Sequence, residues 1–484
     1  VLHRALGGPQ DSRAWAEIWD QGEFPRDAIA RYLERWNERF DLFHPRHPFL
    51  QVAGLRTAKN EVFGLERLIA DVPNGEPFLT TRQRRGVQRI PASEAARWLV
   101  HAQAFDPSGI KSGAIGDDRV KGGKGYPIGL SWSGNLGGVL VQGRTLFDTL
   151  MLNLIAFDHG DVSADERAAD LPVWERPQLT ASVESASRQV RGPVDLFTWP
   201  SRRVRLVGDR QAVTGVLICN GDPLTPQNRF TDEPMTAWRR SKPQEQKLGT
   251  VPVYMPREHI PERYFWRGLS ALLSPRMVAA RGVDAASSLP PSTLNWIARL
   301  RTDGVLEADY VIRPRAIGIA YGSNNSVIDE IIDDELSMFI ALLDERRPGL
   351  RAEAEVAVGA AEAGARALGQ LAGNLAQASG GEPDGAQSRA QELGYAQLDR
   401  PFRTWLAKLG PTTPSHSAQK DWQETAWRLL TELGAELVAE TSPAAWIGRE
   451  VRNRQVNAPL SDIWFRAALR KVLPVAFTDE GVTA

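Results

Sequence analysis

Cysteine is almost absent: Cys219 is the only one among 484 residues. An intrachain disulfide and a cysteine-based zinc site are thereby excluded. Cys219 directly follows the apolar run 216–218 and reads as a small core residue. Histidine is scarce too. None of His3, His44, His47, His101, His159, His259 and His416 falls in an H-E-x-x-H or H-x-H arrangement, and the prolines around His44 and His47 keep one helical face from presenting both. No metal and no cofactor is expected. Long hydrophobic runs are missing: the most apolar stretch, 145–157, carries Asp148 and is too short to cross a bilayer. Without a span or a signal peptide the expected location is cytoplasmic, with no membrane partner. A chain that opens on Val1 rather than methionine is expected to lack an N-terminal portion. The net charge of −1 provides no overall basic field, so a polyanionic partner would have to be held by local patches.

What the sequence does have is glycine in an unusual setting. Residues 121–125 read KGGKG, Tyr126 follows, and Gly129, Gly134, Gly137 and Gly138 continue the segment. Backbone without Cβ atoms can approach a polyanion closely, and lysines supply the attraction that phosphates require. An ordinary surface connection has the same composition. Two sharper motifs are absent. A phosphate-cradling loop needs G-x-x-x-x-G-K-[ST], but Lys124 is followed by Gly125. A nucleophile elbow needs G-x-S-x-G, whereas 129–134 reads GLSWSG, one residue too long.

Between 79 and 129 nine Lys or Arg stand against four acids, a local charge of +5. Arg82, Arg84, Arg85 and Arg89 in this stretch suit bidentate phosphate contacts, and equally a solubilising surface. The polar run YGSNNS at 321–326 reads as a turn. No convergent acid, base, nucleophile or metal group suggests catalysis. Pattern and punctuation point to an α+β fold with two domains. Residues 1–327 form a large mixed domain with many loops, including a hairpin of 203–207 and 212–218 about Gly208-Asp209 and a strand over 305–321 marked by Pro314. Residues 328–484 form an antiparallel four-helix bundle. Helices are expected over 329–345, 350–378, 391–409, around 422–437 and over 461–473, with stops at Pro348, Gly380-Gly381 and Pro474.

Three separated stretches together resemble the CasA family, the large subunits of type I-E CRISPR Cascade surveillance complexes. They are RFDLFHPRHPFLQV at 39–52, the glycine segment through VQGRTLFDTLMLNL at 122–154, and the YGSNNS turn. The resemblance implies a non-enzymatic reader of double-stranded target DNA, partnered by other Cascade subunits, a CRISPR guide RNA and a recruited helicase-nuclease. It implies recognition of the protospacer-adjacent motif from the minor groove, whose acceptor pattern is degenerate. The family's glycine loop then falls on Gly122, Gly123, Lys124 and Gly125. Its basic finger falls on Arg229, where the family carries lysine; arginine keeps the charge and changes the geometry. Its wedge, which parts the first base pair to start the R-loop, falls on Asn324, Asn325 and Ser326, with Asn325 in place of a glutamine. Its guide-RNA and complex-docking loop falls on Arg82, Arg84, Arg85 and Arg89. The bundle would meet neighbouring subunits and displaced DNA. A stand-alone nucleic-acid-binding protein is the alternative reading.

Overall fold

The computed structural model describes residues 1–72, 87–159, 164–184, 188–273 and 286–477. The chain forms two compact units, one comprising 1–261, 276–296 and 315–334, the other 262–275, 297–314 and 335–484. The architecture is α+β, with several small sheets, many loops and a helical C-terminal region. In chain order the elements that matter for the site are helix α1 (Ala92–Phe105) and strands β1 (Lys111–Ser112), β2 (Lys124–Gly125), β3 (Gly138–Gln142), β4 (Arg202–Gly208), β5 (Ala212–Asn220), β6 (Val311–Tyr321) and β7 (Ile328–Glu335).

The first unit is built on the β4–β5 hairpin, where the alternation read from 203–218 becomes an antiparallel ladder from Arg202↔Asn220 to Leu206↔Val216. The Asp209 carboxylate accepts the Gln211 and Ala212 amides at 2.8 and 3.0 Å and closes the turn. Val204, Val213, Val216 and Leu217 are fully buried among Leu65, Leu99 and Leu55. Each such side chain contributes roughly 1.5–3 kcal/mol by leaving water. Cys219 lies in the same cluster, and burial pushes its thiol up to about 12, consistent with an unreactive core residue.

One expected element is different. In place of the helix expected over 329–345 the chain forms strand β7, which pairs with β6, then a two-residue strand at Met338–Phe339 and a 3-10 turn at Ile340–Leu343. The segment IDEIIDDE carries β-branched Ile328, Ile331 and Ile332, which fit a pleated surface. The turn at 322–327 brings the segment beside β6, whose ladder bonds replace those a helix would make alone. The hairpin therefore runs across residue 327. Pro314 does not put β6 at an edge: the strand lies inside its sheet, and the proline offers its carbonyl to the Leu336 amide at 2.9 Å.

In the second unit four long helices pack as a bundle: α2 (Pro348–Ser379), α3 (Pro383–Leu406), α4 (Ser415–Ala439) and α5 (Ala458–Val472). Pro348 opens α2 rather than only ending what precedes it, because its missing N–H is one of the unpaired donors of a first turn. Gly380 closes α2 with φ 90°. Pro401 lies inside α3 without ending it. Close approach depends on small residues. A Cβ on Gly434 would come within 2.3 Å of the Phe465 ring, and one on Gly364 within 2.5 Å of Leu430.

Candidate nucleic-acid interface

The KGGKG segment makes a tight turn that leads into strand β2. Strands β1 and β2 pair in the register Lys111↔Gly125 and Ser112↔Lys124. Lys121 and Lys124 exchange both amide–carbonyl bonds at 3.1 Å, leaving Gly122 and Gly123 as a two-residue turn with φ 59° and 75°. Positive φ at both central positions is the condition for the turn that matches strand twist, so the paired glycines are explained locally. Nothing lies within 4 Å of where a Cβ would stand on either glycine. Lys121, Gly122, Gly123 and Lys124 are exposed, whereas Gly125 is buried. A Cβ on Gly125 would sit 3.2 Å from the Asn220 amide nitrogen, which donates to the Tyr126 carbonyl at 2.7 Å. The tip presents bare peptide units to solvent on a base fixed by β5.

The YGSNNS segment forms the turn between β6 and β7, with residues 323–326 exposed. Asn324 and Asn325 adopt φ 56° and 54°, a left-handed conformation that asparagine tolerates better than most residues. Two contacts anchor the turn: the Ser108 amide donates to the Asn325 carbonyl at 2.8 Å, and the Tyr321 hydroxyl donates to the Phe105 carbonyl at 2.7 Å.

The glycine tip and the end of this turn line one cleft of about 710 Å³. Gly122, Gly123 and Lys124 stand on its wall with Ser326, Val327 and Ile328. Lys59, Arg67, Lys111 and Lys124 line it together with Glu61, Glu66 and Asp106. Asp106 is neutralised by two cations: Lys111 Nζ lies 2.6 Å and Arg202 Nε 2.5 Å from its carboxylate. Burial opposes ionisation of Asp106, but the two cations outweigh it and hold the carboxyl below its ordinary value. The cleft is left with a positive bias, as a phosphate-bearing ligand requires. His101 also lines it, and burial lowers its pKa, so it adds no charge at neutral pH.

The other expected residues lie elsewhere. Arg229 does not line the cleft. Its guanidinium is folded back, 3.4 Å from Asp232 and 3.1 Å from the Gln189 side-chain oxygen, while Phe230 beside it packs edge-on against Trp238 and Tyr254. Arg89 is exposed just ahead of the strand Ile90–Pro91. Arg82, Arg84 and Arg85 lie outside the described residues. Among the described residues no group of three or more His, Cys, Asp or Glu could hold a metal ion, and no helix is long and apolar enough to cross a membrane.

Below the Arg229 turn sits a carboxyl that the sequence did not single out. Glu233 is 1% exposed, accepts the Met235 amide at 2.8 Å and the Trp132 indole N–H at 3.3 Å, and donates its own amide to the Arg229 carbonyl at 2.8 Å. Burial pushes its pKa from 4.5 to about 7. A carboxyl raised on folding contributes most stability below its unfolded pKa and loses it as pH rises through the folded value. Relative to the parent, Glu233→Gln is therefore expected to gain about 2–3 kcal/mol of stability between pH 5 and pH 8, at roughly 1.4 kcal/mol per unit. Urea unfolding at the two pH values checks this; a pH-independent difference would contradict it.

Asp106, Lys111, Arg202 and Asn220 also escaped the sequence reading. The available signal was Arg202-Arg203 at the mouth of an apolar strand, where alternation leads one to expect core residues. Both are fully buried, and both guanidiniums bind loop carbonyls.

The family model described as CRISPR-associated protein Cse1 matches residues 1–433. CRISPR-associated protein CasA/Cse1 of Thermus thermophilus is 32% identical over 280 residues, covering 56% of this chain and 50% of that protein; the chain thus spans about half the length of this curated relative. The crystal structure of Thermobifida fusca Cse1 is similar at a TM-score of 0.90 and 50% identity, over 99% of this chain and 89% of that one. A chain of a CRISPR RNA-guided surveillance complex shares the fold at a TM-score of 0.69 and 20% identity, over 96% of this chain and 87% of that one.

Proposed function

The chain belongs to the CRISPR-associated Cse1 family, and we propose that it is the large, non-enzymatic subunit of a Cascade surveillance complex, which reads the protospacer-adjacent motif from the minor groove and opens the duplex beside it. The observation that carries this reading is the exposed two-glycine tip sharing one positively biased cleft with Ser326, the last residue of the exposed Asn-Asn-Ser turn. A minor groove about 6 Å wide admits little side-chain bulk and presents mainly acceptors. The amides of a side-chain-free turn suit that surface, and Lys121 and Lys124 beside it suit the flanking phosphates. The parting of the first base pair is assigned to the turn at 323–326 on the resemblance to the family's wedge. The guide RNA, the neighbouring subunits and the helicase-nuclease follow from the family's place in such a complex, as does a docking role for Arg82, Arg84, Arg85 and Arg89.

Arg229 has a distinct part. Its guanidinium must exchange Asp232 and Gln189 for DNA, so its contribution is a difference between two sets of contacts. Arg229→Ala is expected to weaken motif-dependent binding about tenfold, within the range of one good groove contact, and to leave motif-free binding nearly unchanged. Equal loss on both duplexes would reduce Arg229 to a general phosphate contact. The function itself is tested by purifying the chain with its partners. It should enter a ribonucleoprotein containing a short guide RNA and confer motif-dependent duplex binding on it. A chain that binds duplexes equally well alone would contradict the proposal.

A further inference from the structure

Between the glycine turn and the Asn-Asn-Ser turn lies the four-residue stretch 105–108, every member of which is committed. The Phe105 carbonyl accepts the Tyr321 hydroxyl at 2.7 Å. The Asp106 carbonyl faces the Arg202 guanidinium at 3.0 Å and accepts the Ser131 amide at 3.1 Å. The Pro107 carbonyl faces the same guanidinium at 3.0 Å, and the Ser108 amide holds the Asn325 carbonyl. Both outer residues thus bind the wedge hairpin, and both inner ones bind Arg202.

Arg202 is fully buried and reaches the other element as well. Its Nη2 lies 2.9 Å from the carbonyl of Gly129, four residues beyond the KGGKG run. Through the Asp106 carboxylate it shares a buried charge with Lys111, the β1 residue paired with Gly125. A guanidinium is planar with donors in fixed directions, so it sets the separation of the groups it binds more strictly than an ammonium does.

We infer that the buried Asp106–Arg202–Lys111 triad is a positioning device, fixing the distance between the glycine tip and the wedge turn so that reading the motif places the wedge at the adjacent base pair. The inference rests on the proposed function of these two elements. A polar triad at this place suits such a role, because buried ionic groups with directional hydrogen bonds specify one geometry, whereas apolar packing tolerates small slides. The triad separates two tasks: the tip alone suffices to bind a motif, whereas opening the duplex needs the tip and the wedge at a set spacing.

The test compares two targets in the assembled complex, a fully paired motif-bearing duplex and the same duplex with the first base pairs already mismatched. Opening is read from a fluorescent adenine analogue at the first position. Asp106→Asn removes the charge partner. Tyr321→Phe removes only the hydroxyl that ties 105–108 to the wedge hairpin and leaves its shape, so folding is spared. Both variants are expected to open the paired duplex at least tenfold more slowly, while binding the mismatched duplex within about twofold of the parent. Lys111→Arg keeps the charge and is expected to open the paired duplex like the parent, whereas Lys111→Met should not. Equal losses on both targets in Tyr321→Phe, or normal opening by both Asp106→Asn and Tyr321→Phe, would overturn the inference. The underlying reading fails separately: if Asn325→Gly opens the paired duplex normally, the wedge assignment is wrong whatever the triad does.

Discussion

In the assembled complex, Gly122→Asp is expected to lower affinity for a motif-bearing duplex by about 100-fold or more, with the complex still assembled. The variant is a sharp one because the turn survives it. Gly122 has φ 59° with open space where its Cβ would stand, and Asp-Gly is among the pairs that favour this two-residue turn. What changes is the tip's surface: a carboxylate now points where the duplex would lie, between two phosphate strands. Like-charge juxtaposition at an interface costs several kcal/mol, and each 1.4 kcal/mol is tenfold in affinity. Gly122→Asn separates charge from bulk, since it keeps the same turn and adds a neutral side chain of the same shape; a smaller loss is expected. Electrophoretic titration of the reconstituted complex measures both. Binding by Gly122→Asp within threefold of the parent would show that the tip does not touch DNA.

The second large effect is expected at the wedge. Asn325→Gly keeps the backbone, because φ 54° at this position suits glycine, and it keeps the carbonyl that Ser108 holds. Only the side chain is lost. Unstacking a base step costs a few kcal/mol, and a side chain inserted at the step offsets part of that cost until guide pairing takes over. Opening of a fully paired duplex should therefore slow by about 10- to 100-fold, and a pre-opened duplex should bind normally. Stopped-flow fluorescence of the first base pair reads the rate directly. A variant slowed on neither duplex would exclude a wedge role for Asn325.

How much of this was legible in the sequence depended on whether the signal was local. The glycine tip was legible because its turn requires two adjacent positive-φ residues, and Gly122-Gly123 supply them without help from elsewhere. The bundle was legible through Gly380 and the heptad-like spacing of Trp422, Ala426, Leu429, Leu433 and Leu437, of which the first four are buried and Leu437 half-buried. Strand β7 was not, since IDEIIDDE also has helix-compatible spacing and only its pairing with β6 decides the outcome. The buried triad was illegible for the same reason on a larger scale. Asp106 and Arg202 stand 96 positions apart, and an arginine pair at a strand start, though a sign of buried charge, carries no mark of its partners. The folded-back state of Arg229 likewise depends on Gln189, 40 positions away.

On the proposed function, peptide groups at the glycine tip read the edges of base pairs in the minor groove. Base analogues that alter one groove at a time test it most directly. Inosine in place of guanine removes the minor-groove amino group, 2,6-diaminopurine in place of adenine adds one, and 7-deazaguanine changes only the major groove. Binding of the assembled complex should respond to inosine and diaminopurine within the motif and ignore 7-deazaguanine. Sensitivity to 7-deazaguanine with indifference to the other two would place the contact in the opposite groove and contradict the account.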